Sequence, residues 1–535
     1  MGKRTFPQKV FFPSSITGLY GLQSEKVWEV TMKCGFDSEK YLEEQAAAIF
    51  ERAGKFDDKL YLEFGGKLMG DHHAARVLPG FDPDTKIKLL QRMKDKIDII
   101  ICIYSGDIEQ RKMRADYGIS YDADVMRTID VLGDWELTVK AVVVTRYQNQ
   151  PAVRGFINRL ARRGIKVYLH KPIAGNPTEL DTIVSSKGYG SNSYIETDKP
   201  IVVVTGPGAS SGKMATCLSQ VYHDFQKGIR AGYAKFETFP VWNLPLKHPV
   251  NIAYEAATAD IGDVNMVDSF HLEHYHTPAI NYNRDLEVFP VVHRICSRIM
   301  APEQLYHSPT DMGVNQLGFA ISDDEVCQQA SAQEVIRRYF RAMCDYAMGS
   351  ADKAPIERIK LLMDDLGITE TDRKVVSPAR DAMTSAEKTP GKGFDNIFCG
   401  AALELADGRI VTGKNSTLLH AASSCILNAI KLLANLPDNL TLLSPEVIKA
   451  VASLKQEVYH NKGISLDLSE TLTALSVSSP SNPAAKLALE ELTKLKGCEM
   501  HLSHIPPAGD ENALRKLAIN VTSDPRFTGR NLLQE

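Results

Sequence analysis

Thr205-Gly206-Pro207-Gly208-Ala209-Ser210-Ser211-Gly212-Lys213 carries the strongest chemical signal in the chain. It follows the branched apolar run Ile201-Val202-Val203-Val204 and opens a helical pattern, the setting a phosphate-binding loop requires. Glycines let successive backbone N–H groups turn into one concavity, the helix N-terminus adds partial positive charge, and a lysine at the helix start adds a full charge. The expected occupant is a phosphate-bearing ligand held by Gly206, Gly208, Ser210, Ser211, Gly212 and Lys213. The spacing departs from the usual pattern, because five residues separate Gly206 from Gly212, and Met214 stands where a magnesium-binding Ser or Thr is usual. The alternative is a glycine-rich turn that binds nothing.

The longer loop resembles that of dethiobiotin synthetase and CTP synthase, ligases in which a second lysine follows on the next strand. Lys235 in Gly232-Tyr233-Ala234-Lys235 takes that place. The resemblance implies ATP or a related nucleotide with magnesium, Lys213 on the phosphates and Lys235 stabilising charge during transfer, both as catalytic residues. It also implies magnesium on downstream carboxylates, for which Glu255, Asp260 and Asp263 are the candidates. Ordinary surface charge is the competing reading of these side chains.

Other residue clusters offer less specific chemistry. Lys67, His72, His73 and Arg76 follow an apolar strand pattern and can form a substrate anion site, or a tight turn with solvated charges. Asn283 and Arg284, in what reads as a rigid loop after Pro278, can hold a substrate. Asp268, His271, Glu273, His274 and His276 have metal-ligand side chains without the spacing of a zinc peptidase, so hydrogen-bonded structural histidines are the preferred reading. Near the C-terminus, a hairpin pattern over 400–413 and His420-Ala421-Ala422 before an apolar helix resemble the start of the cytidine deaminase fold. Ala422 stands where that motif has Glu, and Pro507 and Asp510 stand where it has Cys, so the resemblance implies no zinc and no deamination.

These residues need elements to position them. Helix signals at 36–52, 87–93 and 153–162 alternate with strand signals at 60–64, 97–103, 142–145 and 165–169, the grammar of a doubly wound parallel sheet. It continues with a strand at 201–205, a helix at 213–225 and a strand at 232–236. Beyond His293 the pattern turns helical, with Ser331-x-x-Glu334 as a capping box and a helix from Pro355 to a terminal Gly367. The polar stretch 385–393 reads as a linker. The expected organisation is α/β and multidomain: an extension over 1–31, a Rossmann-like domain over 32–195, a P-loop-like domain over 196–310, a helical segment over 311–390, and a deaminase-like α/β domain over 391–535. Met32, directly before the first helical pattern, reads as a possible native start.

A length of 535 residues implies about three domains at roughly 100–200 residues each. The formal net charge of -4 gives no global footprint for nucleic acid or anionic membrane. Nine scattered cysteines without a Cys-x-x-Cys pair read as free thiols of a reducing cytoplasm. No apolar run approaches the roughly 20 residues of a membrane span.

Taken together, Glu63-Phe64-Gly65-Gly66-Lys67, His73-Ala74-Ala75-Arg76-Val77-Leu78-Pro79-Gly80-Phe81, Gly212-Lys213-Met214-Ala215-Thr216-Cys217-Leu218-Ser219-Gln220 and Asp263-Val264-Asn265-Met266 resemble the bacterial domain-of-unknown-function 1846 family over nearly the whole chain from Met32. That resemblance implies kinship and a bacterial cytoplasmic protein, without an activity to carry over. The functional expectation is an ATP-dependent ligase or phosphotransferase. The rival is a non-catalytic nucleotide or metabolite sensor, with homo-oligomerisation open in either case.

Overall fold

A computed structural model describes residues 34–528 apart from 57–58, 115–117, 301–304 and 461–462. The expected extension 1–31 and the start at Met32 lie outside the described residues. The strands are β1 (Lys59–Phe64), β2 (Ile97–Tyr104), β3 (Met113–Arg114), β4 (Ile119–Ser120), β5 (Val139–Thr145), β6 (Val167–Leu169), β7 (Ile201–Thr205), β8 (Ala231–Phe236), β9 (Asn265–Val267), β10 (Ile280–Tyr282), β11 (Gly313–Val314), β12 (Gly400–Glu404), β13 (Ile410–Lys414), β14 (Glu499–Leu502) and β15 (Asn520–Ser523).

Branched apolar runs such as Ile97–Tyr104 and Ile201–Thr205 can be buried on both faces, which suits the interior of a parallel sheet. Seven strands form that sheet in the order β11-β8-β1-β7-β2-β5-β6, all pairs parallel. Amphipathic helices pack on it, among them Ser38–Gly54, Tyr121–Asp134, Pro151–Arg162 and Lys213–Gln226, through residues such as Ile49, Val125, Phe156 and Cys217. The chain leaving β7 crosses β1 to reach β8, whereas the chain leaving β2 goes the other way to β5. That divergence makes the carboxyl ends of β7 and β2 a topological switch point, the place where α/β sheets bind ligands.

The boundary expected between 195 and 196 runs through this sheet. β7 is inserted between β1 and β2, with Ile201 in register with Leu60 on one side and Ile97 on the other, so the two expected α/β units share one core. Alternating patterns count strands but do not order them.

The C-terminal region has its own sheet, β13-β12-β14-β15, in which β12 is antiparallel to both neighbours and β14 is parallel to β15. The helix Val376–Glu387 belongs with it: a Cβ on Gly400 would stand 2.2 Å from the Ala379 carbonyl oxygen. The expected linker 385–393 therefore begins inside a helix, and the C-terminal packing unit starts before 391. A second correction concerns Ser331-x-x-Glu334. The helix Asp324–Ala347 runs through it and is capped by Asp323, whose Oδ1 accepts the Val326 N–H at 3.2 Å. Ser331 instead donates to the Cys327 carbonyl at 2.6 Å. Among the described residues, no helix is long and apolar enough to cross a membrane.

Candidate functional site

The glycine-rich loop leaves β7 at the sheet's carboxyl edge and is fitted closely to its neighbours. A Cβ on Gly206 would lie 2.4 Å from the Cys102 carbonyl oxygen, and one on Gly208 would lie 2.7 Å from the Tyr121 hydroxyl. Packing against β2 and the Tyr121–Asp134 helix thus accounts for these glycines without any ligand. Ser210 (φ 58°) and Gly212 (φ 90°) are both left-handed, an alternation that turns backbone N–H groups to one side. Three cations converge on the loop's carbonyl oxygens: Lys213 Nζ on Gly208 at 3.4 Å, Arg114 on Pro207 at 3.2 Å, and Arg146 on Ser210. Arg146 is itself left-handed (φ 52°) and lies 3.5 Å over the Tyr104 ring. Thr145 Oγ1 donates to the Ser211 carbonyl at 2.8 Å, tying the loop to the end of β5. Met214 packs against the core of the large sheet.

Lys235 stands at the carboxyl end of β8, in register with Glu63 of β1. Its ammonium is 2.6 Å from Asp285 Oδ1 and 3.6 Å from Glu237 Oε1. Burial opposes its charge, but Asp285, Glu237 and Glu63 more than reverse that and hold it protonated above its ordinary range. Burial also pushes the Glu237 carboxyl up to about 7, against the pull of Lys235. Glu63 accepts from the Tyr233 hydroxyl at 2.7 Å. Burial, with Glu63 and Cys102 adding to it, pushes the Cys217 thiol well up against the pull of Lys213.

The other expected site residues are largely engaged elsewhere. Glu255 is buried, paired with Arg358 and accepting the Asn265 N–H at 3.0 Å, while Asp260 is exposed. Asp263 pairs with Arg284 at 3.2 Å. Among the described residues, no group of three or more His, Cys, Asp or Glu is arranged to hold a metal ion. Asn283 starts the helix Asn283–Ile299 rather than lying in a loop, and its Oδ1 accepts the Val264 N–H at 2.9 Å.

Lys67, His72 and Arg76 lie within electrostatic reach of one another, and burial together with the two cations depresses the His72 pKa. His73 and Arg76 turn inward instead. The His73 Nδ1 is 2.8 Å from Glu334 Oε1, and Arg76 grips Glu334 with bonds of 2.8 and 3.0 Å. Asp268 caps the helix Ser269–Tyr275, and the Nδ1 of His271 meets Ser308 Oγ at 3.2 Å. His420 and Asp510 come together at 2.9 Å where the helices Ala421–Leu433 and Ala508–Lys516 begin.

The model of the family described as "Domain of unknown function DUF1846, N-terminal" matches residues 34–367, and that of its C-terminal counterpart matches 371–533. The chain belongs to the DUF1846 family. Relatives named UPF0371 proteins include one from Clostridium botulinum (strain Eklund 17B / Type B), 56% identical over 501 residues, covering 94% of this chain and 99% of the relative. Others come from Clostridioides difficile (strain 630), 54% identical over 502 residues, and Fusobacterium nucleatum subsp. nucleatum, 54% identical over 503 residues. Both cover 94% of this chain and 99% of their own length.

In this DUF1846 chain, Arg114 and Arg146 join the loop that spacing had singled out, and Glu63, Glu237 and Asp285 gather around Lys235 at the carboxyl ends of β1 and β8. Glu237 had an available signal, lying two positions after Lys235 at the end of the same strand pattern, and so had Glu63, inside the strand pattern 60–64. Asp285 reaches Lys235 from 50 positions away, a pairing no local pattern encodes.

Proposed function

We propose that this protein binds a nucleotide, ATP first among candidates, through its phosphates at the 206–213 loop and acts as a ligase or phosphotransferase. The observation that carries the reading is the loop itself. It lies at the carboxyl ends of β7 and β2, where the strand order reverses, has left-handed residues at 210 and 212, and has Lys213, Arg146 and Arg114 leaning on its carbonyl oxygens. An entering phosphate offers Lys213 and Arg146 a stronger partner than a neutral carbonyl, while Arg114 also pairs with Asp124 at 2.5 Å. The loop amides and the start of the Lys213–Gln226 helix complete the anion site. Lys235 acts here by holding Glu237 and Asp285 rather than by touching phosphate, because both carboxylates already claim it. Glu237, near neutrality in its proton affinity, suits proton transfer at an acceptor.

A sensor without turnover is the second reading, favoured by Met214 and by the engagement of Glu255 with Arg358. ATP turnover with magnesium distinguishes them. The enzyme reading expects hydrolysis or transfer that is lost in Lys213→Ala and strongly reduced in Glu237→Gln. Turnover that survives Lys213→Ala contradicts the mechanism, and tight binding without turnover selects the sensor.

A further inference from the structure

A cavity of about 260 Å³ lies beyond β8, separate in its lining from the glycine-rich loop. It is smaller than the roughly 300–1,000 Å³ of sites for drug-sized ligands, so its occupant is a small metabolite. Glu237 borders it, with Oε2 against β11 at a place where a Cβ on Gly313 would come within 3.0 Å. His271, a buried side chain, lines it as well. Its Nδ1 is used by Ser308, and its Nε2 has no hydrogen-bond partner among the described residues. Asp311, also on the wall, takes the N–H groups of His307 and Ser308 and the Tyr275 hydroxyl on Oδ2, while its Oδ1 faces the His271 Nδ1 at 3.8 Å. Arg52 supplies positive charge. Its guanidinium makes 3.4 Å bonds to the Tyr306 hydroxyl and the Gly313 carbonyl and stands 5.3 Å over the Tyr306 ring, and it pairs with no carboxylate among the described residues. A guanidinium so placed is a ready carboxylate fork.

We propose that this cavity is a binding site for a small hydroxy- or amino-carboxylic acid, its carboxylate on Arg52 and its hydroxyl or amine between Glu237 and His271. The site goes beyond the nucleotide reading and stands without it. Lys235 positions Glu237 from the sheet side, and Trp242, whose Nε1 donates to the Asn315 carbonyl at 3.0 Å, forms part of the wall.

Trp242 is the reporter for the test. The full chain, labelled with 5-fluorotryptophan and assigned by Trp242→Phe, is titrated by fluorine NMR with glycolate, lactate, malate, glycine, serine and aspartate at millimolar concentrations. The expected result is a saturable shift of the Trp242 signal by at least one of these acids. Its affinity falls by about tenfold or more in Arg52→Gln, a loss of about 1.4 kcal/mol, and also in Ala48→Phe, which fills the cavity from the Ser38–Gly54 helix. Lys213→Ala binds the acid like the parent, which separates this site from the loop. No shift with any of the six acids overturns the proposal, as does binding that is unchanged in both cavity variants. Thermal melting of each variant shows that a lost signal is not a lost fold.

Discussion

Glu334 shows most clearly what a single residue does here. It is almost fully buried and is met by Arg76, Arg337, Arg338 and His73. Burial alone would raise its pKa, but Arg76 and His73 more than reverse this and hold the carboxylate well below its usual range. Arg337 continues to Glu499 on β14, which also takes Arg373, so the network ties the central helix to the C-terminal sheet. Removing one partner of a buried ion cluster leaves uncompensated charge. Glu334→Ala should therefore cost roughly 3–5 kcal/mol of stability by urea unfolding, and a loss under about 1 kcal/mol would contradict the account. His73 and Arg76 were legible as anion binders from their types and spacing. Their anion is a carboxylate 261 and 258 positions away, which no local pattern reveals.

At the scale of elements, most strands and helices were legible because binary patterns match their periods. Ile201–Thr205 and the Gly367 terminus, left-handed at φ 65°, fall where expected. The capping box at Ser331 failed because a Ser-x-x-Glu spacing also occurs inside a long helix, where burial and ion pairing select the same residues. The true cap gives a prediction: Asp323→Ala should destabilise by about 1 kcal/mol, read from the thermal midpoint. The glycine-rich loop gives another. Gly206→Ala places a methyl against the Cys102 carbonyl and should cost about 1–3 kcal/mol even without ligand. An unchanged midpoint would mean that the loop is not packed as described.

For the molecule as a whole, the sequence showed the α/β class and the family but not the order of strands, because inserting β7 between β1 and β2 is decided by the assembled core. One global property follows from burial. Burial lowers His73, with Arg338 adding to the effect, to about 4, and it lowers His170 and His504 to about 4 as well, all from an ordinary 6.5. Between those values the unfolded chain binds more protons than the folded one, so stability falls as pH drops from 6.5 to 4. His420, raised because Asp510 outweighs its burial, acts oppositely and weakens as pH rises. Thermal midpoints across that window should fall steadily towards acid, and His504→Asn should flatten the slope. Nucleotide binding at the carboxyl ends of β7 and β2 is tested most directly by calorimetric titration of the full chain with ATP beside Lys213→Ala. Saturable binding in the parent that is lost in the folded variant is the predicted result; equal binding by both, or heat from neither, would contradict it.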